Sequence, residues 1–306
     1  MSTQILDQVM LELNSLQPGP SRETNLTLTL RDGRTLGYAQ YGDPSGQPVF
    51  FFHGSAGSRL EHPADVSALG ARLICADRPG HGLSDFQPER KLLDWPDDVS
   101  QLANHLGINR FYVLGWSAGG PHALACAYQL PERVLASVVA AGPGPMNRPA
   151  ATKGIEFPGQ AFIFAAQNLP WLIGLFRRTA RSTIWGDPEK ARQQLLSAIP
   201  DDEKAHMLQS GNLDMWFTDV REGYRQGWQG VARDDIIIMQ DWEFDIADIK
   251  VRVDIWHGEQ DRNVSVVSGE YLRDRIPHNR ATFLPGEGHL FLLSHWGIVV
   301  HTLITS

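Results

Sequence analysis

Cysteine is scarce in this sequence. There are two in 306 residues, Cys75 in an apolar run at 71–76 and Cys126 in a helix-like run well away from it. Two thiols so far apart read as free and buried, and they exclude the dense disulfide framework of a small secreted domain. Basic residues are also in short supply: 27 Lys and Arg stand against 35 Asp and Glu, for a net charge of -8. A phosphate backbone needs clustered Lys and Arg, so no nucleic-acid partner is expected. The first twenty residues, MSTQILDQVMLELNSLQPGP, lack a basic flank followed by an apolar run. No cleaved leader and no membrane partner are therefore expected, and the expected location is cytoplasmic. The Cys and His positions show no zinc spacing, and repeats, low-complexity tracts and charge blocks are missing; no metal or organic cofactor is expected.

What is present is a composition that can bury a large core, 42% hydrophobic and 20% charged. Ile5, Val9, Leu13 and Leu16 recur at helical spacing before the Pro18-Gly19-Pro20 break. This reads as a short helix packed on its own domain, with a homodimer contact as the alternative. Alternating runs at 26–30 and 35–41 flank Asp32-Gly33 and predict an antiparallel hairpin. Apolar runs at 49–52, 72–76, 111–114 and 134–140 then alternate with helix-length segments such as 97–106 and 121–130. That rhythm predicts βα units and a mostly parallel sheet covered on both faces. After Gly142-Pro143-Gly144-Pro145 no strand signal appears until 251–256 and 281–284, and a last helix is expected at 290–305. The stretch between is rich in aromatics, including Phe157, Phe162, Phe164, Trp171, Phe176, Trp185, Trp216, Phe217, Tyr224 and Trp228. It reads as a helical cap whose aromatics pack a small core and in part line a pocket. The expected division is an N-terminal helix and linker at 1–20, a core at 21–142 and 250–306, and a cap at 143–249.

Gly115-Trp116-Ser117-Ala118-Gly119 follows an apolar strand and opens a helix-like run. A serine on such a tight strand-to-helix turn needs flanking glycines where side chains would clash, and its position at a helix N-terminus favours developing negative charge. A serine hydroxyl is a weak nucleophile and needs a base oriented by an acid, here expected downstream, each just past a strand. His289, in Gly286-Glu287-Gly288-His289, is the candidate base, while His206, His278, His295 and His301 read as surface or packing positions. Asp261, in Gly258-Glu259-Gln260-Asp261, is the preferred acid; Glu259 and Asp254 are alternatives. The strand that follows the nucleophile helix ends Ala140-Ala141-Gly142-Pro143 and offers no carboxylate. Asp254 inside a strand calls for an edge position or pairing with Arg252. The tetrahedral intermediate needs two backbone donors, assigned to the N–H groups of Ala118 and Ser55, the latter in the loop His53-Gly54-Ser55-Ala56-Gly57-Ser58. His53 reads as fixing that loop, and Trp116 and Ser55 are expected to touch the substrate.

His53-Gly54, Asp77-Arg78-Pro79-Gly80-His81-Gly82-Leu83-Ser84, Gly115 to Gly120, Gly258 to Asp261 and Gly288-His289 together resemble the α/β-hydrolase superfamily with a helical cap. The resemblance implies a central sheet of about eight strands, mostly parallel, with the cap inserted after the sixth. It does not imply a substrate. Dehalogenases and epoxide hydrolases of similar core carry aspartate where this chain has Ser117. Proline-iminopeptidase-like relatives usually read His-Gly-Gly-Pro-Gly where this chain has Ser55 and Ala56. The expected activity is therefore hydrolysis of a carboxylic ester or lactone of a mainly apolar small molecule, through an acyl-enzyme. Two alternatives stand beside it: an aminopeptidase, with Glu156, Asp187, Glu189, Asp219 or Glu222 holding a substrate ammonium, and a non-catalytic ligand receptor on a hydrolase fold.

Overall fold

The chain enters its sheet through a hairpin: β1 (Glu23–Thr29) pairs antiparallel with β2 (Thr35–Gly42), and Gly33 between them sits at φ +87°. A computed structural model describes residues 23–63, 70–153, 155, 157–208 and 212–305. The helix expected at the N-terminus lies outside them.

β2 pairs antiparallel with β4 (Ala71–Ala76), and the remaining pairings are all parallel, through β3 (Gln47–Phe52), β5 (Phe111–Trp116), β6 (Val134–Ala140), β7 (Arg252–Gly258) and β8 (Asn279–Leu284). The spatial order is β1-β2-β4-β3-β5-β6-β7-β8. This is the expected eight-stranded, mostly parallel sheet.

Two-residue alternation sorts the inner strands onto two apolar layers. Phe50 and Phe52 face one layer with Trp95, Val99 and Leu102 of α1 (Trp95–His105) and Ala123 of α2 (Gly119–Gln129). Phe51, between them, faces the other with Trp296, Val299 and Val300 of the C-terminal helix Leu292–Thr305. All three phenylalanines are fully buried, each stabilising the fold by about 2–3 kcal/mol relative to exposure. Cys75 and Cys126 are free, buried and in opposite layers, so the free-thiol reading holds. Asp254 lies in β7, inside the sheet rather than at its edge, and the Arg252 guanidinium stands 3.1 Å from its Oδ2. Of the two explanations for a carboxylate there, pairing applies.

Between β6 and β7 the described residues form six α-helices: α3 (Gly159–Asn168), α4 (Pro170–Ile184), α5 (Pro188–Ser197), α6 (Lys204–Leu208), α7 (Asn212–Gly223) and α8 (Gln229–Met239). Then come α9 (Val266–Arg275) and α10 (Leu292–Thr305). The aromatics of the insert fall only partly into the expected core and pocket. Phe217 and Tyr224 are buried, while Phe162, Phe176 and Trp216 line a cavity under the insert. Phe157, Phe164, Trp171 and Trp185 are exposed. Among the described residues no helix is long and apolar enough to cross a membrane.

Candidate active site

β5 ends at Trp116 and α2 begins at Gly119, leaving two residues to reverse the chain. Ser117 takes φ +51°, a left-handed conformation that a non-glycine residue adopts only under constraint. Two glycines make the turn possible: a Cβ on Gly115 would lie 2.2 Å from the Gly119 carbonyl oxygen, and one on Gly119 would lie 2.0 Å from that of Phe52. The turn therefore lifts the serine hydroxyl off the end of the sheet.

Ser117 Oγ is 3.0 Å from His289 Nε2, and His289 Nδ1 is 2.8 Å from Asp261 Oδ2. The three residues come from the ends of β5, β7 and β8, far apart in sequence and joined in space. The Asp261 carboxylate is itself fixed, because its Oδ1 accepts the N–H groups of Asn263 and Val264, both at 2.8 Å. His257 Nε2 lies 3.4 Å from Oδ2 and 2.8 Å from the Val264 carbonyl, adding a support that no sequence motif marks. Burial pushes the Asp261 carboxyl up, but His289 and His257 outweigh it and hold it below the usual range. Burial pulls the His289 imidazole down, and Asp261, by charge and hydrogen bond, with Glu203 behind it, raises it above its ordinary value. Such an arrangement can take a proton from Ser117 and stabilise the imidazolium that results. Glu259 is exposed and Asp254 is occupied by Arg252, so of the three acids Asp261 is the one in contact with the imidazole.

The loop after β3 stands opposite. Among the described residues the N–H groups of Ser55 and Ala118 have no hydrogen-bond partner, and both residues line the cavity. The Ser55 hydroxyl is engaged by the insert, accepting from Arg177 Nη2 at 2.9 Å and donating to Asp235 Oδ1 at 3.2 Å. His53 fixes the loop from below: Nδ1–H donates to the Gly54 carbonyl at 2.9 Å and Nε2 accepts the Arg78 N–H at 3.3 Å. Burial, with Arg78 and His81 nearby, holds its imidazole well below the usual range and neutral. Trp116 lies against the base, its ring 5.6 Å from the His289 ring and its indole N–H donating to the His289 carbonyl at 3.3 Å.

Ser117, His289, Trp116, Ser55 and Ala118 open on one cavity of about 590 Å³, walled by Pro143, Met146, Phe162, Ile199, Trp216 and Ile238 among others. Sequence reasoning misses or misjudges five charged side chains in that wall. Glu61, just past the loop, accepts the Gly54 N–H at 3.0 Å, and Glu203 accepts the Leu290 N–H at 2.6 Å. Asp219, in the sequence only one of five interchangeable insert carboxylates, takes both the N–H and the hydroxyl of Ser58. Arg177 pairs with Asp235. Nothing in the sequence separates these from a solvated helix face; the signal is their burial, which is tertiary.

The model of the alpha/beta hydrolase fold family matches residues 47–295. This chain belongs to that family. Its curated relatives include a probable proline iminopeptidase of Leptolyngbya boryana, 29% identical over 57% of this chain and 48% of that protein. Another is a dihydrolipoyllysine-residue acetyltransferase component of an acetoin cleaving system from Pseudomonas putida, 31% identical over 58% of this chain and 52% of the relative. The chain thus spans about half the length of the curated relatives it matches. Solved structures of the same fold include a hydrolase of Pseudomonas aeruginosa (TM-score 0.69, 18% identity, 92% of this chain and 98% of that one). An esterase of Rhodococcus sp. ECU1013 is similar as well (TM-score 0.66, 20% identity, 93% and 99%).

Proposed function

We propose that the chain is a serine hydrolase that cleaves a carboxylic ester or lactone of a mainly apolar small molecule. The observation that carries this reading is the hydrogen-bonded series Ser117–His289–Asp261 opening into a cavity with mainly apolar walls. Ser117 Oγ attacks the carbonyl carbon as its proton passes to His289 Nε2, and the Asp261 carboxylate steadies the imidazolium. The oxyanion lies against the N–H groups of Ser55 and Ala118, backbone donors that need no reorganisation when charge develops. His289 returns the proton to the departing alcohol, leaving an acyl group on Ser117. A water that gives its proton to the same imidazole then attacks the acyl carbon, and Ser117 leaves with that proton.

The test is a series of p-nitrophenyl esters of increasing chain length, with Ser117→Ala as the control. Wild type should turn over medium-length chains that fill the cavity, and a fluorophosphonate should label Ser117. If wild type and Ser117→Ala are equally inert and no label is taken up, the chain is the non-catalytic receptor instead.

One observation favours a second reading, cleavage of an amide next to a free amine. Glu61 Oε1 and Asp219 Oδ2 are buried without a hydrogen-bond partner among the described residues, and both residues line the cavity. The two carboxylates converge on Gly57, where a Cβ would lie 3.0 Å from an oxygen of each. Of the other insert carboxylates, Glu222 pairs with Arg59, Asp187 caps α5, Glu189 is exposed and Glu156 lies outside the described residues. Aminoacyl anilides separate the readings: faster turnover of these than of simple esters, lost selectively in Asp219→Asn, would replace the esterase by the aminopeptidase.

A further inference from the structure

A short segment of the insert, between α5 and α6, crosses to the two loops that carry the acid and the base. Asp202 Oδ2 is 3.0 Å from Arg262 Nη2, one residue past Asp261. Glu203 Oε2 accepts the N–H of Leu290, one residue past His289. His206 reaches Glu287 with Nε2, at 3.0 Å, and Ser294 Oγ with Nδ1, at 2.6 Å. Glu203 is the buried member, 4% exposed, and it also lines the cavity. Its carboxylate lies so close to the residue before the base that a Cβ on Gly288 would stand 2.3 Å from its carboxyl carbon. A side chain at Gly288 would thus displace the Glu203 carboxylate, and the His289–Phe291 turn is held by a carboxylate that comes from the insert.

We propose that Glu203 is a positioning residue that holds the His289 turn in register with Ser117 and favours the imidazolium formed during the reaction. This rests on the reading of His289 as the base. The backbone hydrogen bond fixes where the ring sits. The negative charge acts on the same ring as Asp261 does, but comes from the insert. The charged and titratable groups around the imidazole are Asp261, His257 and Glu203; those around Glu203 are His289, Asp261 and Asp202, with Glu287 and His206 at the outer end of the clamp. Burial and the neighbouring acids push the Glu203 carboxyl up, while the Leu290 N–H and His289 pull it down, so its charge depends on the partners it holds.

Two variants divide the hydrogen bond from the charge. Glu203→Gln keeps a carbonyl oxygen for the Leu290 N–H and removes the charge: the acid limb of kcat/KM should move to lower pH with the melting temperature unchanged. Glu203→Leu removes both, and kcat should fall about tenfold to a hundredfold with KM within about twofold, as expected when a reacting group is displaced and substrate binding stays intact. An NMR titration of the His289 ring, assigned by its disappearance in His289→Asn, reads the same effect without substrate. Its midpoint should fall in Glu203→Gln. An unmoved midpoint and an unmoved acid limb in Glu203→Gln would overturn the proposal, whatever the leucine variant does to folding. If the wild type neither turns over esters nor takes up the fluorophosphonate, the functional reading fails, and the NMR titration still decides whether Glu203 governs the ring.

Discussion

The insert grips the two sides of Ser117 by different means. On the oxyanion side the contacts are mostly buried charges. Asp234 of α8 meets the guanidinium groups of Arg78 and Arg90, and Arg78 in turn donates to the carbonyls of His53 and Gly54. Arg177 and Asp235 hold the Ser55 hydroxyl, and Asp219 holds Ser58. On the acid and base side there is one buried hydrogen bond, from Leu290 to Glu203, flanked by pairs nearer the surface. Removing one partner of a buried pair strands the other in a low dielectric, whereas an exposed pair is replaced by water. The oxyanion side should therefore carry stability, and the acid and base side protonation and alignment.

The largest effect should come from the acid. Asp261→Asn leaves a similar shape but removes the charge that orients and stabilises His289, and kcat should fall by about ten-thousandfold while Glu259→Gln stays near wild type. The pH profile sharpens the same point. His289 must be neutral to accept the serine proton, and its pKa is raised, so the acid limb of kcat/KM should lie above the ordinary imidazole value of about 6.5. Stability runs the other way: the contribution of this group is complete below the unfolded value and is lost as pH rises through the folded one. Activity should therefore rise with pH over the window in which this part of the stability is given up; a limb at or below that of free imidazole would contradict the charge assignment.

Asp234→Asn tests the other side. Arg78, Arg90, His81 and His122 surround this carboxylate and hold it, against burial, well below the usual range. Neutralising it leaves two buried guanidinium groups without their counter-charge, and urea denaturation should show a loss of about 3–5 kcal/mol. A loss under about 1 kcal/mol would abolish the distinction between the two sides.

The sequence made one half of this arrangement readable. Strand periodicity placed the sheet, and local motifs with strict steric demands, Gly115 to Gly119 and Gly288-His289, marked the residues at its strand ends, because a turn at φ +51° tolerates few sequences. The insert gave only aromatics at helical spacing. Asp234, Asp235, Asp219 and Glu203 sit on helices or turns where any acidic residue would read as solvated; their meaning depends on loops 87 to 180 residues away, such as Ser55 with Asp235 and Leu290 with Glu203. Helical and strand periods carry no information at that separation.

Ser117→Gly should abolish turnover yet stabilise the chain. The left-handed backbone costs a serine about 1–3 kcal/mol and a glycine nothing, while the lost hydrogen bond to His289 and the freer unfolded chain each take back about 0.5–1 kcal/mol. The net gain at mid-range, about 0.5 kcal/mol, has the opposite sign to the Asp234→Asn loss and is read in the same denaturation experiment. An unchanged or lowered stability would mean that the elbow is not strained.

The smallest effect should come from Arg262→Ala, at the outer end of the insert's grip on the acid loop. Asp202 and Arg262 are 44% and 63% exposed, so the pair is screened by water and salt and its loss should cost under about 0.5 kcal/mol. Turnover should also be nearly unchanged, because the Asp261 carboxylate is fixed by its own backbone donors at Asn263 and Val264 rather than by its neighbour's side chain. A tenfold fall in kcat here, with Glu203→Gln silent, would move the working contact from the buried carboxylate to the exposed pair. It would also mean that alignment on this side of Ser117 reaches the acid before the base.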